Sequence, residues 1–499
     1  MEGASIYVKK KVGIIGAGLG GLTSAILLAN AGFDVHLYEK NTHLGGKMMR
    51  YQLGDTHFDF GPNTITMPYV FQQVIKQTRA NPDDYFQIIK LDVHTRNVFS
   101  DGSTFDMSTN IDEMKSQLAQ KDPQAAETFS VYLQEITRLY QLSEAHFFPK
   151  TFSNWKDYFS PKLASALRKV RPLESLDHFH RRFFKHEHHV QMLNRYATYI
   201  GSSPFMAPAT FAMIAYLELI EGVYYVKGGN PTIAEGLTKR AIELGVKIHR
   251  GMEVKKLHVQ KQSIKRIECE NGEQKDVDLI VMNGDLLQVF PELVDERFRP
   301  SFRNAKISRF EPSTSAFVIL ASLNKHMKQL IHHQVYFSEA YKEEFEALFK
   351  EKQYAKDPTI YICNSSYTDP SVSPQGDNLF ILVNAPALTP ESVIDEEAYK
   401  QLIYQKLAEK GLDIRPSIIA EKIIRPKDIS KQFYAYRGSL YGPSSNKARD
   451  AFLRPTNQAK DLHNLYFVGG STHPGGGSPM VTLSGINVAN LIINASFTK

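Results

Sequence analysis

The chain has 499 residues, 42% hydrophobic and 22% charged, with 31 glycines and 24 prolines. That length corresponds to about three domain-sized units, and the composition excludes a disordered chain, a collagen and a polytopic membrane protein. A net charge of +6 over this length is not the concentrated basic stripe of a nucleic-acid binder, and Cys269 and Cys363 supply neither a disulfide framework nor a zinc site of their own, so a reducing compartment is expected. The opening MEGASIYVKKK lacks the apolar run of a signal peptide. Two long stretches contain no Asp, Glu, Lys or Arg, namely Tyr196 to Leu217 and Asn464 to Thr498. The first carries Gly201, Pro204 and Pro208, the second a glycine-rich turn and several asparagines, so burial is expected rather than a membrane span.

In chain order, Lys11 to Ile15 reads as a buried parallel strand. Gly16, Gly18 and Gly21, with Gly20 between, fit G-x-G-x-x-G. Leu22 to Ala31 reads as a helix stopped by Gly32, and Phe33 to Tyr38 as a second strand. Glu39 ends that strand, 18 residues after Gly21, and Lys40 follows. The first glycine permits a tight turn, the second lets backbone approach a pyrophosphate, and the third lets helix and strand pack closely. The helix start faces the phosphates, and the acid accepts from ribose hydroxyls. Strand, helix, spacing and acid together point to dinucleotide binding. A merely tight βα turn is the plainer alternative.

Between His146 and His189, Phe147, Phe148, Phe152, Trp155, Tyr158, Phe159, Phe179, Phe183 and Phe184 alternate with Lys150, Lys156, Lys162, Arg168, Lys169, Arg171, Arg181, Arg182 and Lys185. Such a mixture suits a membrane interface; the alternative is a solvated helical face with its aromatics in the core. His178, His180, His186, His188 and His189 match no compact metal spacing and read as surface groups, so no metal is expected. Ala207 to Leu217, Ser315 to Leu323 and Leu379 to Val383 are apolar enough for core or for the wall of an apolar tunnel. Glu218 and Glu221 follow the first of these, and read either as helix-end charges in solvent or as groups serving a reaction. Pro231 to Leu244 reads as a helix stopped by Gly245. Val246 to His249, Glu253 to His258, Ile264 to Glu268 and Val277 to Met282 read as strands, with Asn283-Gly284-Asp285 as the exit. Near the end, a strand from Leu465 to Val468 and a helix from Val481 to Ile493 flank glycine-dense backbone from Gly469 to Met480. Such backbone lets amides approach a flat ligand, and the helix start adds free N–H groups and a positive dipole.

Glu39, Gly45-Gly46 and Asp59-Phe60-Gly61-Pro62 together resemble the flavin amine oxidase and phytoene desaturase superfamily. In it the glycine pair continues the pyrophosphate cradle and the Gly-Pro segment passes near the flavin ring, which implies FAD. Lys47 stands where that pattern has Arg, offering a point charge without a bidentate fork, and Arg50 follows. The carboxy-terminal glycine run and Val223 to Gly236 resemble bacterial-type phytoene desaturases, and the resemblance spans the chain. Phe58 to Tyr69, Tyr199 to Ser203 with Ala207 to Ala209, and Phe467 to Gly477 are most similar to the diaponeurosporene and diapolycopene oxidases, with the diapophytoene desaturases beside them.

The resemblance implies an α/β fold: a Rossmann-like FAD-binding domain of amine oxidase/phytoene desaturase type with an inserted α+β substrate domain. The FAD lobe would comprise 1–70, 224–300 and 455–499, and the carotenoid-binding, membrane-contacting lobe 71–223 and 301–454. FAD would be held by Gly16, Gly18, Gly20, Gly21, Glu39, Lys40, Gly45, Gly46, Lys47, Gly61, Pro62, Val254, Gly469, Gly470, Pro479 and Met480, with Val254 reaching the adenine through its backbone amide. The implied activity is oxidation of a terminal methyl of an acyclic diapocarotenoid to alcohol and aldehyde. A desaturase of such polyenes is the first alternative. An amine or porphyrinogen oxidase is another, and a non-enzymatic prenyl-binding protein, like the Rab GDP-dissociation inhibitors, the remotest. A polyene has no acidic proton, so the flavin carries the hard step. Glu218 or Glu221 would stabilise a polyene cation or take a proton. Partners would be the polyene, membrane lipid and O2 or a quinone as electron acceptor, with no nucleic acid. The location would be cytoplasmic and peripheral to the membrane.

Overall fold

A computed structural model describes residues 9–151, 165 and 168–497. Five parallel strands form one sheet, in the order Leu465–Phe467, Leu279–Met282, Lys11–Ile15, Asp34–Glu39 and Lys247–Arg250. Lys11–Ile15 sits at its centre, paired in register with Asp34–Glu39 on one side and Leu279–Met282 on the other. Alternate side chains of that strand serve two layers. Val12 and Ile14 pack with the helices Leu19–Asn30, Thr232–Glu243 and Ser478–Phe497. Ile15 packs with an antiparallel sheet of Val254–Gln260, Ser263–Cys269 and Gln274–Asp276. At Gly13 a Cβ would lie 2.4 Å from Ile267 Cδ1, so the two sheets leave no room for a side chain. A strand buried on both faces reads as a continuous apolar run, which is why these strands are visible in the sequence.

A second, seven-stranded sheet runs Ile418–Ile424, Ser315–Leu323, Asn378–Ala385, Ile360–Asn364, His333–Tyr336, Val93–Val98 and Thr104–Ser108. Its pairings are antiparallel except that of His333–Tyr336 with Val93–Val98. The helix Glu396–Glu409 covers one face through Tyr399, Ile403, Tyr404 and Leu407. Beside it, the helices Pro123–His146, Leu176–Phe183 and Glu187–Asn194 build an apolar cluster with the 196–219 segment. Pro123–His146 starts where Asp122 accepts from Gln124 N–H, with proline at the first helical position, which lacks the N–H a helix start cannot satisfy.

Tyr196 to Leu217 is a broken path. A 3-10 turn, Arg195–Ile200, ends at Gly201 with φ +59°, and the chain resumes as Ala209–Ala212, Met213–Tyr216 and the π-turn Leu217–Glu221. Ser478–Phe497 packs closely on Leu19–Asn30, where a Cβ on Gly485 would lie 2.5 Å from the Gly20 carbonyl oxygen. Among the described residues, no helix is long and apolar enough to cross a membrane.

The surface assignment of the five histidines is corrected at two of them. His180 is fully buried between Asn194 and Tyr132, at 2.8 and 3.3 Å, and His189 is buried beside Phe105 and Phe184. Both sit on the inward faces of short helices, which a single-sequence reading of a His-rich segment does not reveal. His178 is exposed, His186 caps its helix by accepting from His188 N–H, and His188 stacks on Phe99.

Candidate active site

A cavity of about 550 Å³ opens along the ends of the parallel strands. Gly16, Gly18, Gly20, Glu39, Lys40, Gly45, Gly46, Lys47, Gly61, Pro62, Val254, Gly469 and Gly470 all line it. The helix Leu19–Asn30 begins at Gly18 with no side-chain cap, so its first N–H groups face the cavity without a competing acceptor. Gly18 pairs with Gly45 as an isolated bridge, and Gly45 N–H donates to Ala17 O at 2.8 Å, which brings the two glycine segments together. A Cβ on Gly46 would lie 3.1 Å from Gly18 Cα, and one on Gly61, at φ +110°, 1.9 Å from the Lys47 carbonyl oxygen. Glu39 is buried; its carboxylate accepts from Ala17 N–H and Asn41 N–H, both at 2.9 Å. The cleft therefore offers unpaired donors at a helix start, glycine backbone on two sides and an acid at the second strand's end, which fits a dinucleotide.

Three expected cofactor residues stand elsewhere. Gly21 packs under the loop, where a Cβ would meet Gly16 O at 2.1 Å, and Pro479 and Met480 line a second cavity. Lys47 is committed to protein: its ammonium donates to Ser439 O at 3.1 Å and Leu440 O at 2.7 Å. Burial pulls it down to about 8, with Asp285 opposing. Arg50 is no substitute for the missing guanidinium, since it pairs with Glu235 at 3.2 Å. Lys40 donates to Lys431 O and lies 3.6 Å over the Tyr434 ring. Asn283, legible in the sequence only as part of a strand exit, belongs to the cradle: its Nδ2 donates to Gly16 O at 3.2 Å and its amide fills the space that Cβ atoms on Gly18, Gly20 and Gly21 would need.

The second cavity, about 260 Å³, adjoins the first; both are lined by Gly61, Pro62, Phe380, Leu382, Leu440 and Tyr441. The choice between core and tunnel wall resolves by strand periodicity. In Ser315–Leu323, Ala316 and Val318 face the first cavity while Phe317, Ile319, Ala321 and Leu323 join the core under Glu396–Glu409. In Asn378–Ala385, Phe380 and Leu382 face the cavities while Leu379, Ile381 and Val383 are core. Phe211, Met213, Ile214 and Leu217 add apolar wall from the helical side, while Ala207, Ala209, Ala212 and Ala215 pack inward.

Behind this wall lies a buried polar group that the sequence did not reveal. The solvent reading of Glu218 is corrected: it is fully buried, because the π-turn rotates it inward. Its carboxylate accepts from the Tyr199 hydroxyl and, at 3.3 Å, from Arg195 Nη2. His94 Nδ1 stands 3.9 Å away, and burial holds that imidazole down at about 4, so it is neutral near pH 7. Arg195 and Tyr199 line the second cavity; Glu218 is one layer behind them. Burial lowers the arginine's pKa, but Tyr199 and Glu218 outweigh it and hold it above the ordinary value. Glu221 is half-buried, with burial and then Glu144 raising its carboxyl.

His332, His333 and Cys363 are also buried together, with their ligand-capable atoms within 4.8 Å of one another. Thr368 and Tyr361 hold the two Nδ1 atoms, at 2.6 and 2.9 Å. Burial keeps both imidazoles neutral, His332 at about 3. The trio depends on the pairing of His333 with Cys363 across two strands, which no sequence spacing shows.

The parallel sheet, glycine cradle and adjoining apolar cavity define a dinucleotide-dependent oxidoreductase. Residues 19–493 match the model of the flavin-containing amine oxidoreductases, and the chain belongs to that family; its cofactor is FAD. It is 35% identical over 492 residues to a 4,4'-diapolycopene oxygenase of Methylomonas sp., covering 97% of this chain and 98% of that protein. It is 33% identical over 496 residues to a 4,4'-diaponeurosporene oxygenase of Staphylococcus haemolyticus, covering 97% of each. Among solved structures, an oxidoreductase from Methanosarcina mazei superposes with a TM-score of 0.66 at 16% identity, covering 96% of this chain and all of the other.

Proposed function

We propose that the protein is an FAD-dependent carotenoid oxidoreductase that oxidises a terminal methyl of an acyclic diapocarotenoid, diaponeurosporene or diapolycopene, to alcohol and aldehyde. The observation that carries this reading is the junction of the two cavities: an apolar chamber meets the glycine cradle at Gly61 and Pro62. The relatives named for diapocarotenoid oxygenation support the substrate class. When bound, FAD supplies the two-electron oxidation; the glycine backbone of the cradle would hold its phosphates and Glu39 its ribose. The wall of Phe211, Met213, Ile214, Leu217, Phe380 and Leu382 orients a hydrocarbon end and excludes water. At the first step the methyl loses a hydride and gains its oxygen atom from water or O2 with release of a proton. The alcohol then loses a hydride and a proton to give the aldehyde, and the electrons leave to O2 or a quinone. We assign 1–70, 224–300 and 455–499 to the cofactor lobe and 71–223 and 301–454 to the substrate lobe. In support, the strands of the parallel sheet fall in the first set and those of the seven-stranded sheet in the second. Incubating the flavin-loaded protein with 4,4'-diaponeurosporene and weighing the products tests the reading. Gain of oxygen is expected, loss of two hydrogens alone makes it a desaturase, and an unchanged pigment overturns both.

The same reading has the protein cytoplasmic and docked at the membrane surface, because its substrate is dissolved in lipid. Leu173, 93% exposed, and the exposed Arg168 and Lys169 support docking. Other parts of the aromatic and basic segment do not. Phe148, Phe179 and Phe184 are core, Arg181 pairs with Asp177 and Glu187, and Arg182 with Glu174. Phe152, Trp155, Lys156, Tyr158, Phe159 and Lys162 lie outside the described residues. Each cation near an anionic surface contributes about 1 kcal/mol, so reversing Arg168 and Lys169 to Glu weakens co-sedimentation with anionic liposomes by at least about tenfold. Unaltered sedimentation removes docking at this face.

A further inference from the structure

An apolar chamber built only for hydrocarbon has no use for a buried cation on its wall, yet Arg195 is there, 6% exposed. Transferring a guanidinium from water into such surroundings is costly unless it is paired, and Glu218 pairs it. That pairing explains how the charge is tolerated, not why it lines the chamber. Two details separate Arg195 from a purely structural arginine. Its Nε, though sealed from the chamber, has no hydrogen-bond partner among the described residues, so the guanidinium is held by Glu218 and Tyr199 at its outer nitrogens alone. Arg454, the other guanidinium on the wall, donates to Gly470 O at 3.0 Å and to Pro443 O at 3.2 Å. Tyr199 completes the set: its proton goes to Glu218, and its oxygen accepts from polar neighbours, among them the Thr64 hydroxyl on the same wall, which an alcohol O–H would replace.

Resting on the diapocarotenoid reading above, we propose that Arg195 and Tyr199 form an oxygen subsite that recognises the already oxidised end of the polyene. Arg195 N–H donates to the oxygen of a terminal alcohol or aldehyde, and the Tyr199 oxygen accepts the alcohol's O–H. Glu218 is a positioning residue: it neutralises the cation, so that the unoxidised hydrocarbon end meets no net charge, and it fixes the direction of the Tyr199 hydroxyl. His94, neutral and 3.9 Å from Glu218, leaves that balance intact. The subsite gives one protein a way to retain its alcohol for a second oxidation.

The test uses flavin-loaded protein and three probes, a diapocarotenoid hydrocarbon and the same polyene ending in an alcohol or in an aldehyde. A carbonyl that accepts from a cation draws electron density along the polyene, so the aldehyde's visible band is expected to shift to longer wavelength on binding. A hydrogen bond to a charged group justifies a preference of about tenfold for aldehyde over hydrocarbon. Replacing the buried pair together, Arg195→Met with Glu218→Leu, removes the charges without stranding one of them. The flavin absorbance and thermal midpoint report whether the double variant folds. The expected result is loss of both the band shift and the aldehyde preference. Tyr199→Phe is the milder probe and lowers affinity for the terminal alcohol about fivefold. If the double variant does not fold, this result and the wild-type preference decide. Wild-type protein that binds hydrocarbon and aldehyde equally, or a folded double variant that keeps the shift, overturns the subsite alone. Wild-type protein that binds none of the polyenes overturns the substrate reading and the subsite with it.

Discussion

The two cavities are built from different material. The first is walled largely by backbone: Gly16, Gly18, Gly45, Gly46, Gly61 and Gly469 bring peptide groups to its surface, and Glu39 is among its few buried charges. The second is walled by side chains, with aromatic and aliphatic groups around Arg195 and Tyr199. A site made of backbone presents the same donors whatever the neighbouring side chains are, which suits a cofactor of fixed shape. A site made of side chains is re-cut by single substitutions, which suits selection among similar substrates. The contrast predicts that the cradle fails outright when one atom is added, while the chamber wall tolerates loss of several.

The sharpest break is at Gly61. Its φ is +110°, and a Cβ there would sit 1.9 Å from the Lys47 carbonyl oxygen, a collision of backbone with backbone that no rotamer relieves. Gly61→Ala must shift the strand ending at Phe60 or the Gly45–Lys47 turn. We expect a loss of about 3 kcal/mol or more, with FAD binding undetectable by absorbance titration. A variant that binds FAD as the wild type does would show that the cradle yields where it is drawn as rigid.

The same contrast explains what the sequence disclosed. The cradle was legible because its parts are local: glycines at fixed spacing, an apolar strand before them and an acid after them. The largest shift there is that the helix starts at Leu19 rather than Leu22, which takes Gly20 and Gly21 into its first turn, while the second strand moves by one residue to Asp34–Glu39. The chamber was legible only as apolar runs, because Phe317 and Val318 are equally apolar and only the pleat assigns one to core and the other to cavity. Arg195, Tyr199 and Glu218 were not found together. They stand on a 3-10 turn and a π-turn, neither of which leaves the 3.6-residue rhythm that would have marked them as neighbours. Asn283 likewise gains its role only when strands from opposite ends of the chain pair.

Asp59 tests the framework between the two regions. Burial pushes its carboxyl up to about 6, with the Asn230 N–H and Arg50 pulling it back. The folded protein therefore holds that proton more tightly than the unfolded chain, whose carboxyl titrates near 3.8. Stability falls as pH rises from about 4 to about 6 and stays lower above, by about 3 kcal/mol. Asp59→Asn keeps an oxygen for the Asn230 N–H and has no proton to lose. The variant should match the wild type near pH 4 and exceed it in thermal midpoint above pH 6. Parallel melting curves across the range would place Asp59 in solvent contact instead.

The smallest expected effect is at Leu382, on the wall common to both cavities. A leucine deleted from closed core costs about 2–5 kcal/mol, partly for the void it leaves. At Leu382 the void already exists, so Leu382→Ala forfeits only contacts on the sheet side, about 1 kcal/mol. Its consequence should appear in selectivity: the chamber widens beside Phe380, and a polyene with a bulkier end is expected to bind better relative to the native acyclic end. Chemical denaturation measures the first quantity and competitive binding the second. A loss of about 3 kcal/mol would mean that Leu382 is packed as core and that the chamber is closed at that point, returning the second cavity to the same rigidity as the cradle.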